Sequence, residues 1–224
     1  MNATITATCT IRNGMIWVNG QLYHETDLAQ PGPALFAERA YRTLSLAYPK
    51  FFKMDPLSKL GWLAAELMTQ PAPEGVRPDQ RGVVLYSRTG SLLADWSHQQ
   101  ILHDNRPVSP AIFVYTLPNI VVGELCIRHQ LMGENGVFLT PAWQPHHAAL
   151  MVNSLLTSGD CRQCLTGWIE VNADQYEVFL CQVNAQPNDT AGMPFSDVSL
   201  QILYQNPAAY SAWQPWFSQE ATLA

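Results

Sequence analysis

Cys161-Arg162-Gln163-Cys164 has the spacing shared by zinc sites and dithiol redox sites. Structural zinc needs four ligands, and no second pair of comparable spacing follows. A redox pair belongs at a helix N-terminus after a strand, where the helix dipole lowers a thiol pKa. This pair follows a predicted helix and precedes a predicted strand, so two structural thiols are expected. His146-His147 opens a predicted helix. Adjacent helical residues point about 100° apart, a poor geometry for holding one metal ion. No metal and no cofactor is therefore expected. Ser87-Arg88-Thr89-Gly90-Ser91 lacks the lysine of a phosphate loop and reads as a turn. Neither a G-x-S-x-G elbow nor an H-E-x-x-H motif occurs. No residue cluster announces catalysis by itself.

The elements that must position these residues alternate. Ile16-Trp17-Val18 is a short strand. Asp55-Pro56 starts a helix, with Asp as N-cap and Pro at the first helical position. Leu57, Leu60, Ala64, Leu67 and Met68 continue it at helical spacing. Gly82 to Tyr86 and Ala111 to Tyr115 read as buried strands, and Pro118 opens a helix to about Gln130 that Gly133 can end. A strand at Val137-Phe138-Leu139 precedes a helix with Ala148, Met151, Val152, Leu155 and Leu156 on one stripe, ended by Gly159. Leu165 to Val171 and Tyr176 to Val183 are strands joined by a turn at Asn172-Ala173-Asp174. The linkers, Ala29 to Pro33, Pro71 to Gly75 and Asn184 to Thr190, are too short to separate domains. Strands alternating with helices, several as continuous apolar runs, imply an α/β fold whose mixed sheet carries helices on both faces. A single domain over residues 1–224 is expected.

Of the 224 residues 47% are hydrophobic and only 13% charged, about half the usual charged share. Such a surface is expected either to be covered in part by another subunit or to be simply sticky. A net charge of −6 with no Lys/Arg stripe argues against nucleic acid as a partner. No apolar run approaches the ~20 residues that span a bilayer. Met1 to Thr6 lacks the basic and apolar blocks of a signal peptide, and five unevenly spaced cysteines make no disulfide framework. A cytoplasmic location without a membrane span is expected.

Gly82 to Val171 resembles the β-ketoacyl synthase family. Gly82-Val83-Val84-Leu85-Tyr86-Ser87-Arg88-Thr89-Gly90-Ser91 is similar to the family's strand and glycine/serine turn. Ser109-Pro110 leading into Tyr115-Thr116-Leu117-Pro118-Asn119 and Gly123-Glu124 is similar to its "SP…N…aG" stretch, and Ile127 to Gly133 to the run before its nucleophile strand. Asp55 to Met68 matches more loosely. In the family the catalytic cysteine lies nine residues after that glycine and seventeen before the glycine that ends the nucleophile helix. Counting from Gly133 and from Gly159 reaches the same residue, Ala142. A shift of two residues would instead place Gln144 there, and some chain length factors carry glutamine at this position.

The resemblance implies the N-terminal half of a thiolase-like fold without its nucleophile. A methyl group cannot form an acyl thioester, so no catalysis is expected at this position. The histidines of an active synthase lie in the second half of the fold, which this chain is expected to lack. The implied role is that of a non-catalytic chain length factor, of the kind found with aryl polyene synthases. It would pair with a catalytic β-ketoacyl synthase and meet acyl carrier protein only indirectly. Val137, Phe138 and Leu139 are the implied interface strand. Phe113, Tyr115 and Leu117 are candidates for the acyl tunnel wall, or else plain core. Tyr210, Trp213, Trp216 and Phe217 are expected to cover surface left by the absent half, unless a partner does so. The alternatives are a thiol-free thioesterase or decarboxylase using Gln144 or His146, and a stand-alone acyl or carrier-protein binder.

Overall fold

The computed structural model describes residues 2–27, 31–69, 71–107, 110–186 and 192–213. The chain opens with three antiparallel strands, β1 (Asn2–Arg12), β2 (Met15–Val18) and β3 (Gln21–Glu25). Helices α1 (Pro33–Thr43) and α2 (Pro56–Met68) follow, with a short 3-10 turn between them. Next come β4 (Arg81–Ser87), α3 (Leu92–His103), α4 (Pro110–Val114) and α5 (Ile120–His129). The chain continues through β5 (Asn135–Leu139), α6 (Pro145–Ser158), β6 (Gln163–Val171) and β7 (Tyr176–Gln186). Next come a two-residue strand, β8 (Met193–Pro194), and α7 (Asp197–Gln205), and residues 209–213 are again helical. All strands join one mixed sheet in the order β3-β2-β1-β7-β6-β4-β5, with β8 beside β1. β4 runs parallel to β5 and β6, whereas β7 is antiparallel to both its neighbours.

Alternation along the central strands sorts two cores. Val83 and Leu85 face α1, α2 and α5, where Phe36, Leu60, Trp62 and Leu125 are buried. Val84 and Tyr86 face α6 and α7, among Trp143, Val152, Leu156 and Leu200. The same split divides β6, with Leu165 and Ile169 on the first face and Cys164 and Trp168 on the second. The α/β expectation, a mixed sheet with helices on both faces, therefore holds.

The helix predicted at Asp55-Pro56 is α2. The Asp55 carboxylate accepts from the Leu57 and Ser58 amides at 3.2 and 3.1 Å, capping it. The turn between β6 and β7 is set by Asn172, whose Oδ1 accepts from the Asp174 and Gln175 amides. Gly159 ends α6 in the left-handed conformation, φ 84°.

Three expectations are corrected. Ala111 to Tyr115 is not a strand: it falls in α4 and the turn after it, where Tyr115 N donates to Ile112 O and Thr116 N to Phe113 O. A short apolar run does not distinguish strand from helix, and the place beside β4 is taken by β5. Gly133 does not end α5. Gln130, at φ 56°, does so, and Gly133 instead allows close backbone approach, since a Cβ there would lie 2.9 Å from Asp79 O. β7 runs on to Gln186, past the expected linker start at Asn184. Trp216 and Phe217 lie outside the described residues. Tyr210 is buried against the α6–α7 core, its hydroxyl donating to Ile5 O, and Trp213 packs beside it.

Candidate functional site

The β5–α6 connection is an elbow at the edge of the sheet. Thr140 N donates to Ser87 O at 2.9 Å, tying the elbow to the end of β4, and Thr140 Oγ1 donates to Ala142 O at 3.0 Å. Trp143 then turns inward, edge-on to Tyr86 at 5.4 Å, and Pro145 starts α6. Ala142 is exposed on the wall of an open polar cleft of about 780 Å³, together with Arg12, Arg88, Trp168, Glu170 and Tyr204. Gln144 is the residue preceding α6 and does not line this cleft.

Glu170 organises one side of it. Its side chain is 10% exposed, and Oε2 accepts from Ser87 Oγ, Arg88 N and Thr89 N at 3.1, 2.7 and 3.1 Å. Oε1 accepts from Thr89 Oγ1 at 2.7 Å and faces Arg88 Nε at 3.6 Å. A buried carboxylate is tolerated where donors surround it, and here the donors are the Ser87–Thr89 turn. Across the cleft the Tyr204 hydroxyl donates to Glu177 at 2.7 Å, and Arg12 bonds the Tyr204 carbonyl. Burial and the Glu177 carboxylate both push the Tyr204 phenol well above its ordinary pKa, so it stays a donor.

The two histidines of α6 diverge. His147 Nδ1 lies 2.8 Å from the Tyr86 hydroxyl, within rings that include Phe138 at 5.1 Å. His146 is exposed, with Nδ1 3.2 Å from Asp197, and this pairing lowers the Asp197 pKa. They do not converge on one point. Cys161 and Cys164 are buried, the Cys161 thiol donating to Gln163 O. Among the described residues no group of three or more His, Cys, Asp or Glu is placed to hold a metal ion.

Among the described residues β5 bonds to β4 alone, which leaves its other side as a sheet edge. Val137 packs on the α1–α2–α5 core, Phe138 stacks on Tyr86 at 5.3 Å on the opposite face, and Leu139 is 55% exposed. Beside this edge, Leu139 and Pro118 crowd Gly90, and Ser91 Oγ donates to Thr116 O at 2.6 Å. Farther along, the Phe113 ring meets His98 of α3 at 5.6 Å. Leu92, Trp96, Phe113, Val114 and Leu117 are all exposed on these segments, Trp96 by 61% and Phe113 by 58%. Leu92 and Leu117, adjacent in sequence to the place where Gly90, Leu139 and Pro118 meet, make an apolar margin at the end of β5.

The structure therefore separates Phe113, Tyr115 and Leu117. Phe113 and Leu117 face outward, whereas Tyr115 is half-buried and donates to Glu124 Oε1 at 2.9 Å. Glu124 is held in turn by Lys50 at 2.7 Å. Burial and this hydrogen bond hold the Tyr115 phenol protonated. Tyr115 lines a second, apolar cavity of about 610 Å³. Sequence reasoning missed Glu170 and Glu124. A lone acidic residue inside an apolar run, as in Leu165 to Val171, is the signal that could have found the first.

No family model matches the sequence, and no curated protein matches it. Solved structures do match. A chain of the ishigamide ketosynthase/chain length factor is 15% identical with a TM-score of 0.57, the match covering 85% of this chain and 64% of that one. One from ketosynthase ApeO in complex with its chain length factor ApeC, from Xenorhabdus doucetiae, is also 15% identical with a TM-score of 0.53. There the match covers 92% of this chain and 91% of the other, so the two are nearly equal in length. A chain of AntDE:AntF, a type II PKS acyl-carrier protein in complex with its ketosynthase, is 9% identical with a TM-score of 0.56. That match covers 83% of this chain. This chain thus spans a little under two thirds of the first and third structures, 64% and 63%. The mixed sheet, its two helical layers and these matches give the chain the thiolase-like fold of ketosynthases and chain length factors.

Proposed function

We propose that this chain is a non-catalytic, chain-length-factor-like subunit, a single thiolase-like domain over residues 1–224. It forms a cytoplasmic heterodimer with a catalytic ketosynthase in polyketide or polyene chain elongation. The observation that carries this reading is the open β5 edge with its apolar margin, next to an elbow that presents Ala142 instead of a nucleophile. An edge strand offers unpaired backbone groups, and a margin of exposed Leu adds apolar burial. A second sheet edge can pair here by strand addition, with Val137 to Leu139 at the seam. The partner supplies the thiol and the histidines and meets acyl carrier protein, while this chain contributes interface and part of the tunnel wall. Phe113 and Leu117 stand on the interface side, so their bulk is what a growing acyl chain in the partner would meet.

Co-expression with a catalytic ketosynthase, followed by size-exclusion chromatography, tests the reading. A stable 1:1 complex is expected, with turnover of acyl-carrier thioesters only in the complex. A monomer that ignores the synthase, or an isolated chain that hydrolyses such thioesters, would overturn it.

A further inference from the structure

The polar cleft at the elbow carries more charged groups than its own hydrogen bonds engage. Its lining holds five charged residues, Arg12, Arg88, Glu170, Asp174 and Glu177. Three of them are committed to the wall. Glu170 accepts four hydrogen bonds from the Ser87–Thr89 turn. Glu177 accepts from the Tyr204 hydroxyl and lies 3.6 Å from Arg12, which also bonds the Tyr204 carbonyl. Arg88 and Asp174 are left over. The Arg88 guanidinium is exposed and makes no hydrogen bond among the described residues; its one ion contact, with Glu170, is at 3.6 Å. The Asp174 carboxylate is exposed on the β6–β7 turn and makes no ion pair among the described residues, where only its amide is engaged, by Asn172. Two available charges of opposite sign therefore line one cleft without pairing with each other.

The Tyr204 side of the cleft offers donors. Arg12 Nε and Trp143 Nε1 are buried and have no hydrogen-bond partner among the described residues. Both residues pack against the Tyr204 ring, Arg12 Cζ at 5.5 Å and the Trp143 ring at 6.2 Å from its centre. A buried donor left unpaired costs free energy, so an acceptor brought to this wall is stabilised there. Behind Pro31, Asn172 and Asp174, the neighbouring Gly32, Pro33 and Ala173 line the apolar cavity, so one wall serves both spaces. The cleft's volume of about 780 Å³ lies within the ~300–1,000 Å³ typical of small-molecule sites.

We infer that this cleft binds a free α-amino acid with a carbonyl acceptor in its side chain. The ligand carboxylate accepts from the Arg88 guanidinium, whose planar fork matches it, and the ammonium donates to Asp174. The side-chain carbonyl accepts on the Tyr204 side, from Arg12 Nε and Trp143 Nε1. A simple anion would be opposed by Asp174 and a simple cation by Arg88, whereas a zwitterion satisfies both. The site needs neither a partner subunit nor a covalent step. It is measured on the full chain alone, so its failure is distinguishable from a failure of heterodimer formation.

Titration calorimetry tests it with L-glutamine and with L-norvaline, which keeps the zwitterion but lacks the side-chain amide. Saturable 1:1 binding of L-glutamine is expected, with L-norvaline weaker by about tenfold or more. Arg88→Gln should weaken L-glutamine about tenfold or more, and Asp174→Asn about threefold or more. Ala142→Trp, which fills the cleft from an exposed position, should abolish binding. Circular dichroism reports whether each variant is folded, and Asp174→Asn, in an exposed turn, remains informative if another is not. Absence of saturable binding at millimolar L-glutamine overturns the inference. So does L-norvaline binding as tightly as L-glutamine, or binding that folded Arg88→Gln and Asp174→Asn leave unaltered.

Discussion

In the proposed function Ala142 leaves the elbow without a nucleophile, because a methyl group has neither a lone pair nor a proton to give. Its exposure makes it testable. Ala142→Cys should create a thiol that reacts with a maleimide at least tenfold faster than the native cysteines, four of which are buried and the fifth half-buried. Mass spectrometry of the labelled peptide checks this. The same variant should still carry no acyl group from a carrier thioester, since neither α6 histidine is poised as its base.

His129 is a second residue-scale case. Burial lowers its pKa from 6.5 to about 4, with the Glu66 carboxylate at 3.7 Å opposing part of the shift. A depressed imidazole pKa means the unfolded chain binds the proton more readily. Stability is therefore full above pH 6.5 and is lost as pH falls toward 4, by at most about 3 kcal/mol. Urea midpoints between pH 7 and pH 4 should fall in the native chain and fall less in His129→Gln.

At the scale of elements, the centre of the sheet tolerates little change. Gly167 sits in β6 opposite Leu180, and a methyl group there would collide with the Phe179 carbonyl oxygen. Gly167→Ala should cost on the order of 2–4 kcal/mol, read as a lower urea midpoint at unchanged slope. The Ser87–Thr89 turn depends on one carboxylate. Glu170→Gln would turn an amide NH₂ toward the donors that Oε2 or Oε1 now accepts, and should cost about 1–3 kcal/mol. Because that turn abuts Leu139 and Thr140, the variant should also weaken partner binding when measured while folded. The cap of α2 was legible from Asp55-Pro56, since N-cap preference is a local property. The helix over Pro110–Val114 was not, because a five-residue apolar run satisfies either period. β1 had a signal of its own. Thr4, Thr6, Thr8 and Thr10 alternate with Ala3, Ile5, Ala7, Cys9 and Ile11, a period of two that reading for continuous apolar runs passes over. A register shift between Ile5 and Ala7 then sends Ile5 to the α6–α7 core and Ala7 onward to the other.

For the whole molecule, exposed apolar side chains occur on several faces, and one group of them, Leu92, Trp96, Phe113, Val114, Leu117 and Leu139, lies on α3, α4 with the turn after it, and β5, the side assigned to the partner in the proposed function. Leu139→Asp together with Phe113→Asp should abolish co-elution with the ketosynthase while leaving the isolated chain's thermal midpoint within a few degrees. Separately, Phe113→Ala should lengthen the partner's products, since a smaller side chain removes a wall; an unchanged product distribution from an intact complex would count against Phe113 as that wall.

From the sequence alone came the α/β class, most strand and helix positions, the two counts that meet at Ala142, and the absence of any complete metal or nucleophile motif. These are local or pairwise properties, carried by periodicity, capping and spacing. Tertiary structure alone decided that Tyr115 parts company with Phe113 and Leu117, that Glu170 and Glu124 become buried hubs, and that a polar cleft and an apolar cavity share a wall at Gly32 and Ala173. The hubs join residues tens of positions apart, Glu170 with Thr89 and Glu124 with Lys50. Which of them meet depends on strand order and on how helices pack across the sheet, and periodicity along the chain carries no record of that.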